Sequence, residues 1–232
     1  MDLTLIIIIA IASLVILIIA GLAVVNFSTD EMVDKFKQVA KYPAPITPLD
    51  FAKSMNSKYF AGKINIQLKN NILSDCYSST GLLFLSREYA NKKHLAGLAI
   101  CAHELGHAFQ FKNQRAKMAK YGKRIRTSKI VSKLVSPLFI CALVLVFFDK
   151  LLLAGALALM AIVCFFVGLC AKMSTVKMET EASEIAIKIL QENTNLTDVE
   201  LKRMRTLLSS AKQTYVADFL RSILKWTGFT RK

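Results

Sequence analysis

Residues 94–111 read HLAGLAICAHELGHAFQF, and their reading decides the fold. The stretch holds no proline and is rich in Ala and Leu, so it is predicted to be one mostly buried helix. Within it, His103-Glu104-Leu105-Gly106-His107 sets two imidazoles four positions apart. On a helix they project from one face about one turn apart, the spacing that two ligands of a tetrahedral zinc ion require. Glu104 lies beside them, where a carboxylate can take a proton from a metal-bound water. The bland alternative is a chance match. Against it, two of the chain's three histidines fall on this helix four apart, and a buried apolar helix has little other use for them.

Composition sets the frame around that helix. The chain of 232 residues is 54% hydrophobic and 20% charged, with a net charge of +15. Such values conflict unless the apolar residues are gathered into blocks, and they are. Residues 3–25 form 23 positions without a charge, dense in Ile and Leu, which exceeds the roughly 20 residues that cross a bilayer core. No basic segment precedes them, and the run is longer than the apolar part of a usual signal peptide, so they are read as a retained membrane helix. The five cysteines, at 76, 101, 141, 164 and 170, show no CxxC pair and no regular spacing, which argues against a disulfide-stapled secreted domain.

Residues 112–133 carry nine Lys or Arg and no acid. Taken alone, such a run could signal nucleic acid. Here it leads into 15 uncharged residues, Leu134 to Phe148, and then 21 more, Leu151 to Ala171, with Asp149-Lys150 alone between them. That pattern predicts a tight hairpin of two membrane helices with its tip at one surface. The basic run is then the positive flank that stays on the cytoplasmic side. Three crossings place the 94–111 helix and the chain after Lys172 on the cytoplasmic side, and Met1 and the 149–150 tip on the other.

The remaining stretches suit a small mixed domain. Thr47-Pro48-Leu49-Asp50 looks like a helix start, with Thr47 as N-cap and Pro48 in the first turn, and a short helix to about Ser57. Ile64 to Leu68 and Gly81 to Leu85 suit two β-strands, with a polar link from Ser74 to Ser79 between them. A strand ahead of a metal-bearing helix could hold an extended peptide along its edge, or could simply support the helix. Past the hairpin, helical spacing continues through Met178, Ala182, Ile185, Ala186 and Ile189. A break follows at Asn193 to Leu196, and Thr197-Asp198-Val199-Glu200 resembles a capping box. The tail from Phe219 to Lys232 is amphipathic and suits either the inner membrane face or plain packing. The fold class is therefore mostly α with a small β-sheet, plus membrane helices.

Catalytic zinc usually keeps three protein ligands and one open position. A further histidine downstream on the same helix is excluded, because 110 is Gln and 113 is Asn. His94 lies nine residues before His103, about 13 Å along a helix and on its opposite face, so it is read as a helix-start residue. No Asp or Glu occurs between Glu104 and Asp149. The first carboxylates on the correct side are Glu179, Glu181 and Glu184, and spacing does not choose among them. Ser183, four after Glu179, could support that residue from the same face.

Taken together, CAHELGHAFQ, the preceding LSDCYSSTGLLFLS, the hairpin, METEAS and the later TYVA resemble the YugP-type membrane-associated neutral zinc metallopeptidases. The likeness runs from about Ile72 to Phe219. It implies a gluzincin-like site in which His103 and His107 hold zinc, Glu104 is the catalytic glutamate, and Glu179 of the E-x-x-A-S element is the third ligand. It implies a zincin-like metallopeptidase domain interrupted by the hairpin: an N-terminal transmembrane helix at 1–26, a first part of the domain at 27–129, the hairpin at 130–173 and a C-terminal helical part at 174–232. Tyr215 matches a recurring tyrosine that could donate to an oxyanion or simply pack. Two departures stand out: Cys76 replaces a frequent His, and Lys177 precedes Met178-Glu179 where an apolar residue is usual. The expected protein is a multi-pass cell-membrane endopeptidase with one zinc ion per chain, its catalytic domain on the cytoplasmic side. It would act on proteins or peptides, with the lipid membrane and no nucleic acid as its other partner. The rival reading is a catalytically inactive zinc-binding scaffold or adaptor.

Overall fold

The computed structural model of the chain describes residues 31–70 and 76–210. The membrane helix expected at 3–25, Tyr215 and the amphipathic tail lie outside the described residues. Among the described residues the chain divides into two compact units, one holding 31–121 with 176–210 and the other holding 122–175.

The first unit begins with helix α1 (31–40), whose Phe36 packs edge-on against His94. Helix α2 (Pro48–Phe60) starts as its sequence requires. The Thr47 hydroxyl accepts from the Asp50 amide at 3.1 Å, and Pro48 occupies the first turn, where a missing N–H is harmless. The helix runs three residues beyond the expected Ser57 and ends on Ala61, which adopts the left-handed conformation at φ 52°. Its carbonyl at Pro48 accepts from the Cys101 thiol at 3.2 Å, fixing α2 against helix α4 (Leu95–Asn113).

Strands β1 (Asn65–Lys69), β2 (Cys76–Tyr77) and β3 (Leu82–Ser86) form one sheet in the order β1-β3-β2. β1 runs parallel to β3 with Asn65 opposite Leu82, and β2 runs antiparallel with Tyr77 opposite Leu83. The polar link expected between the two strands thus holds a third. Its side chains carry no apolar alternation, because a two-residue edge strand is held by main-chain bonds rather than by a buried face. Leu83 and Leu85 alternate into the core and are wholly buried. After the short helix α3 (Arg87–Ala90), His94 caps α4, its Nδ1 accepting from the Gly97 amide at 2.9 Å. Burial there holds the His94 imidazole below its usual pKa, as a neutral acceptor requires. Leu95, Leu98 and Leu105 of α4 are wholly buried, each contributing about 1.5–3 kcal/mol.

Helices α5 (Arg115–Phe147) and α6 (Leu151–Asn193) are each long and apolar enough to cross a membrane. The turn between them is tight: Asp149 takes φ 53°, and the Lys150 amide donates to the Leu145 carbonyl at 3.0 Å. Within the second unit, Ser128, Ser132 and Ser136 form a buried stripe at spacing four on α5, and Ala154 and Ala161 of α6 are also buried. Small residues let two helix backbones approach closely, which is how helices pair where no hydrophobic force separates them from lipid. The Ser128 hydroxyl donates to the Gly168 carbonyl at 3.1 Å. Large apolar side chains point outward instead, with Phe147 at 81% and Leu152 at 92% exposure. Such a surface belongs in a bilayer, and the chain is a multi-pass membrane protein.

α6 continues past its apolar stretch into the first unit, as the helical spacing from Met178 to Ile189 implied. Helix α7 (198–210) follows a reciprocal cap. The Thr197 amide donates to the Glu200 carboxylate at 2.7 Å, and the Glu200 amide donates to the Thr197 hydroxyl at 3.3 Å.

Candidate metal centre

The helical period brings the His103 and His107 rings to a centroid separation of 4.8 Å, nearly perpendicular to one another. What they face comes from α6. Gly106 sits between them on the helix surface, and a Cβ there would collide with the backbone carbonyl of Ala182. That bare spot lets α6 lie directly on α4 and brings its carboxylates down to the imidazoles.

Of the three candidate carboxylates, Glu179 is the one that arrives. Its Oε2 lies 3.3 Å from His103 Nε2 and 3.1 Å from His107 Nε2, and the residue is 4% exposed. One nitrogen from each histidine and one Glu179 oxygen all fall within 4.8 Å of one another. Glu181 turns away to Lys117 Nζ at 2.6 Å and Gln114 Nε2 at 2.9 Å, and those contacts, Lys117 first, hold its carboxyl below the usual range. Glu184 is exposed and makes no part of the cluster.

Contacts on the far side of each ring orient the imidazoles. The Ser183 hydroxyl donates to the Glu179 carbonyl at 2.9 Å, which leaves its lone pair to accept from His103 Nδ1 at 3.1 Å. Ser183 therefore supports a histidine, not the Glu179 carboxylate as its spacing suggested. Gln110 is wholly buried; its Nε2 donates to the Met178 carbonyl at 2.9 Å, so its Oε1 accepts from His107 Nδ1 at 2.9 Å. With a proton fixed on each Nδ1, both Nε2 atoms turn toward the same Glu179 oxygen. Two nitrogen lone pairs and a carboxylate oxygen cannot share that space without a positive charge among them. Either a proton or a metal ion supplies it, and two imidazoles with one carboxylate are a donor set that zinc accepts.

The protonation of the metal-free cluster follows the same logic. Both groups lie outside the apolar stretches of the hairpin. Burial alone would lower the His107 pKa, but hydrogen bonding and charge from Glu179 outweigh it and raise the imidazole to about 9. Burial would raise Glu179, yet the bonds from His103 and His107 hold it far below the ordinary carboxylate range. The Tyr121 hydroxyl of α5 donates to the other Glu179 oxygen, Oε1.

Glu104 points toward the sheet. Its Oε2 accepts from the Tyr77 amide of the edge strand β2 at 2.8 Å, and the residue is 9% exposed. The link read from sequence as loop thus delivers a main-chain donor to the glutamate between the two histidines. Cys76, the preceding residue, is exposed on the same strand. His94 stays at the helix start and takes no part.

Gln110, Tyr121 and the Tyr77 amide were not singled out from sequence as parts of the site. Two of them left traces. A buried glutamine three residues after His107 shares its helix face, and Tyr121 is the sole aromatic between Phe111 and Phe139 in a basic stretch. The amide left none, since every residue but proline has one.

The sequence model of the family described as "putative neutral zinc metallopeptidase" matches residues 6–230. No curated protein and no solved structure matches the chain.

Proposed function

The chain belongs to the neutral zinc metallopeptidase family, and from that premise we propose that it is a membrane-bound zinc-dependent endopeptidase. The observation that carries the reading is the convergence of His103 Nε2, His107 Nε2 and Glu179 Oε2, with Glu104 on the same turn of α4. His103, His107 and Glu179 would hold one zinc ion. When bound, zinc would acidify a water and polarise the scissile carbonyl. Glu104 is the general base: it accepts a proton as the water adds to that carbonyl, then passes it to the leaving amine as the C–N bond breaks. The Tyr77 amide holds the Glu104 carboxylate in place between these transfers. Among the described residues, the unit of 31–121 with 176–210 would be the peptidase domain, and 122–175 would anchor it. The basic run at 112–133 supports a catalytic domain on the cytoplasmic side.

The test is metal content and cleavage of an unfolded protein by the detergent-purified chain, beside Glu104→Gln and Glu179→Ala. The wild type should carry about one zinc and cleave. Glu104→Gln should keep the metal and lose turnover, and Glu179→Ala should lose the metal. A wild type that holds zinc yet cleaves no better than Glu104→Gln would establish the scaffold reading instead.

A further inference from the structure

Tyr121 enters the metal site from a helix that carries none of the proposed ligands. Gln114 precedes α5, and Lys117 and Tyr121 follow at spacings of three and four, so all three share one helix face. The first two grip Glu181, and the third reaches Glu179. The Lys117–Glu181 pair lies at the surface, and one helical turn further along α5 the phenol meets the buried Glu179 carboxylate.

The two oxygens of Glu179 then have separate tasks. Oε2 faces both imidazoles, while Oε1 accepts the Tyr121 hydroxyl. A carboxylate with both oxygens unengaged can close on a cation with both, filling a position that a hydrolytic site must leave to water and substrate. We propose that Tyr121 is a positioning residue of the metal centre: its hydroxyl holds Glu179 Oε1 away, so that the carboxylate meets the ion through Oε2 alone. The inference rests on the reading of Glu179 as a metal ligand. Tyr121 acts through Glu179, to which its hydroxyl donates.

Tyr121→Phe removes the hydroxyl and keeps the ring. The full chain in detergent, stripped and titrated with cobalt(II), reports both affinity and coordination number, because four-coordinate cobalt absorbs visible light far more strongly than five- or six-coordinate cobalt. Tyr121→Phe should bind cobalt roughly 10–100-fold more weakly, with a marked loss of visible intensity. On a Glu179→Gln background the same change should add nothing, because the amide has no charged second oxygen to restrain. If Tyr121→Phe binds within about twofold of wild type and keeps its full spectrum, Tyr121 has no such role. Equal losses on both backgrounds, or a variant that unfolds before it can be loaded, would assign the hydroxyl to the fold and overturn the proposal. Should Glu179→Gln alone bind cobalt like the wild type, the ligand reading fails first, an outcome distinct from the others.

Discussion

Gly106 of α4 lies so close to the carbonyl oxygen of Ala182 on α6 that no Cβ fits between them. The obstacle is backbone on both sides, so a larger residue must push the helices apart rather than turn a rotamer. Gly106→Ala should therefore lower stability by about 1–3 kcal/mol. The displacement also draws Glu179 away from His103 and His107, so metal affinity should fall in the same variant. Thermal melting and metal titration check the two effects, and unchanged values for both would show that α6 has slack at this contact.

Gln110 bridges His107 Nδ1 and the Met178 carbonyl from a wholly buried position. Gln110→Ala leaves His107 Nδ1 without its acceptor and frees the imidazole to rotate. Zinc affinity should drop roughly 10–100-fold, read by competition with a chelator. Gln110→Glu, which can still accept from Nδ1, should bind better than Gln110→Ala.

Glu181 provides the contrast. It sits two residues from Glu179, but its oxygens go to Lys117 and Gln114. Glu181→Gln should retain about one zinc and cost no more than about 1 kcal/mol, since a partly exposed ion pair contributes little. Loss of metal in this variant would move the third ligand to Glu181.

The cluster also sets a pH dependence in the metal-stripped protein. His107 is raised from 6.5 to about 9 in the folded chain, so the folded state holds a proton that the unfolded state releases. The stability this confers is fully present below 6.5 and is lost as pH rises through 9, with a slope of at most ~1.4 kcal/mol per pH unit. Glu179, held low by the histidines, contributes from above the ordinary carboxylate value and keeps its share across that window. Melting midpoints of chelator-treated protein between pH 6.5 and 9.5 should fall as pH rises (roughly the window between the two imidazole values). Zinc affinity should rise over the same range, because the metal no longer competes with that proton.

The outward faces of the hairpin should keep the protein in the lipid. Leu152 is 92% exposed and Phe147 81% among the described residues, which leaves large apolar area open to solvent. After an alkaline carbonate wash of membranes, the chain should remain in the pellet. Its appearance in the supernatant would show that this surface is covered by protein instead.

Much of this molecule is written locally. The period of 3.6 residues places His103, Glu104 and His107 on one buried helix, and nothing distant is needed for it. The caps at Thr47 and Thr197 involve groups three residues apart, and the hairpin tip is announced by two polar residues between apolar runs. These features depend on backbone geometry within a turn or two, so the order of residues determines them. The strand β2 was not legible in the same way, because its two residues pair through main-chain atoms.

Tertiary structure decided the rest, starting with the choice among three glutamates within six residues. Glu179, Glu181 and Glu184 differ little in local context, but they point in different directions around α6. Which one meets His103 and His107, more than seventy residues earlier, depends on how α6 is rotated and shifted on α4. That register comes from the bare contact of Gly106 with Ala182 and from Gln110 reaching the Met178 carbonyl. Each is a meeting of surfaces far apart in the chain. No periodicity within either helix encodes it, because a helix's own geometry is indifferent to what packs against it.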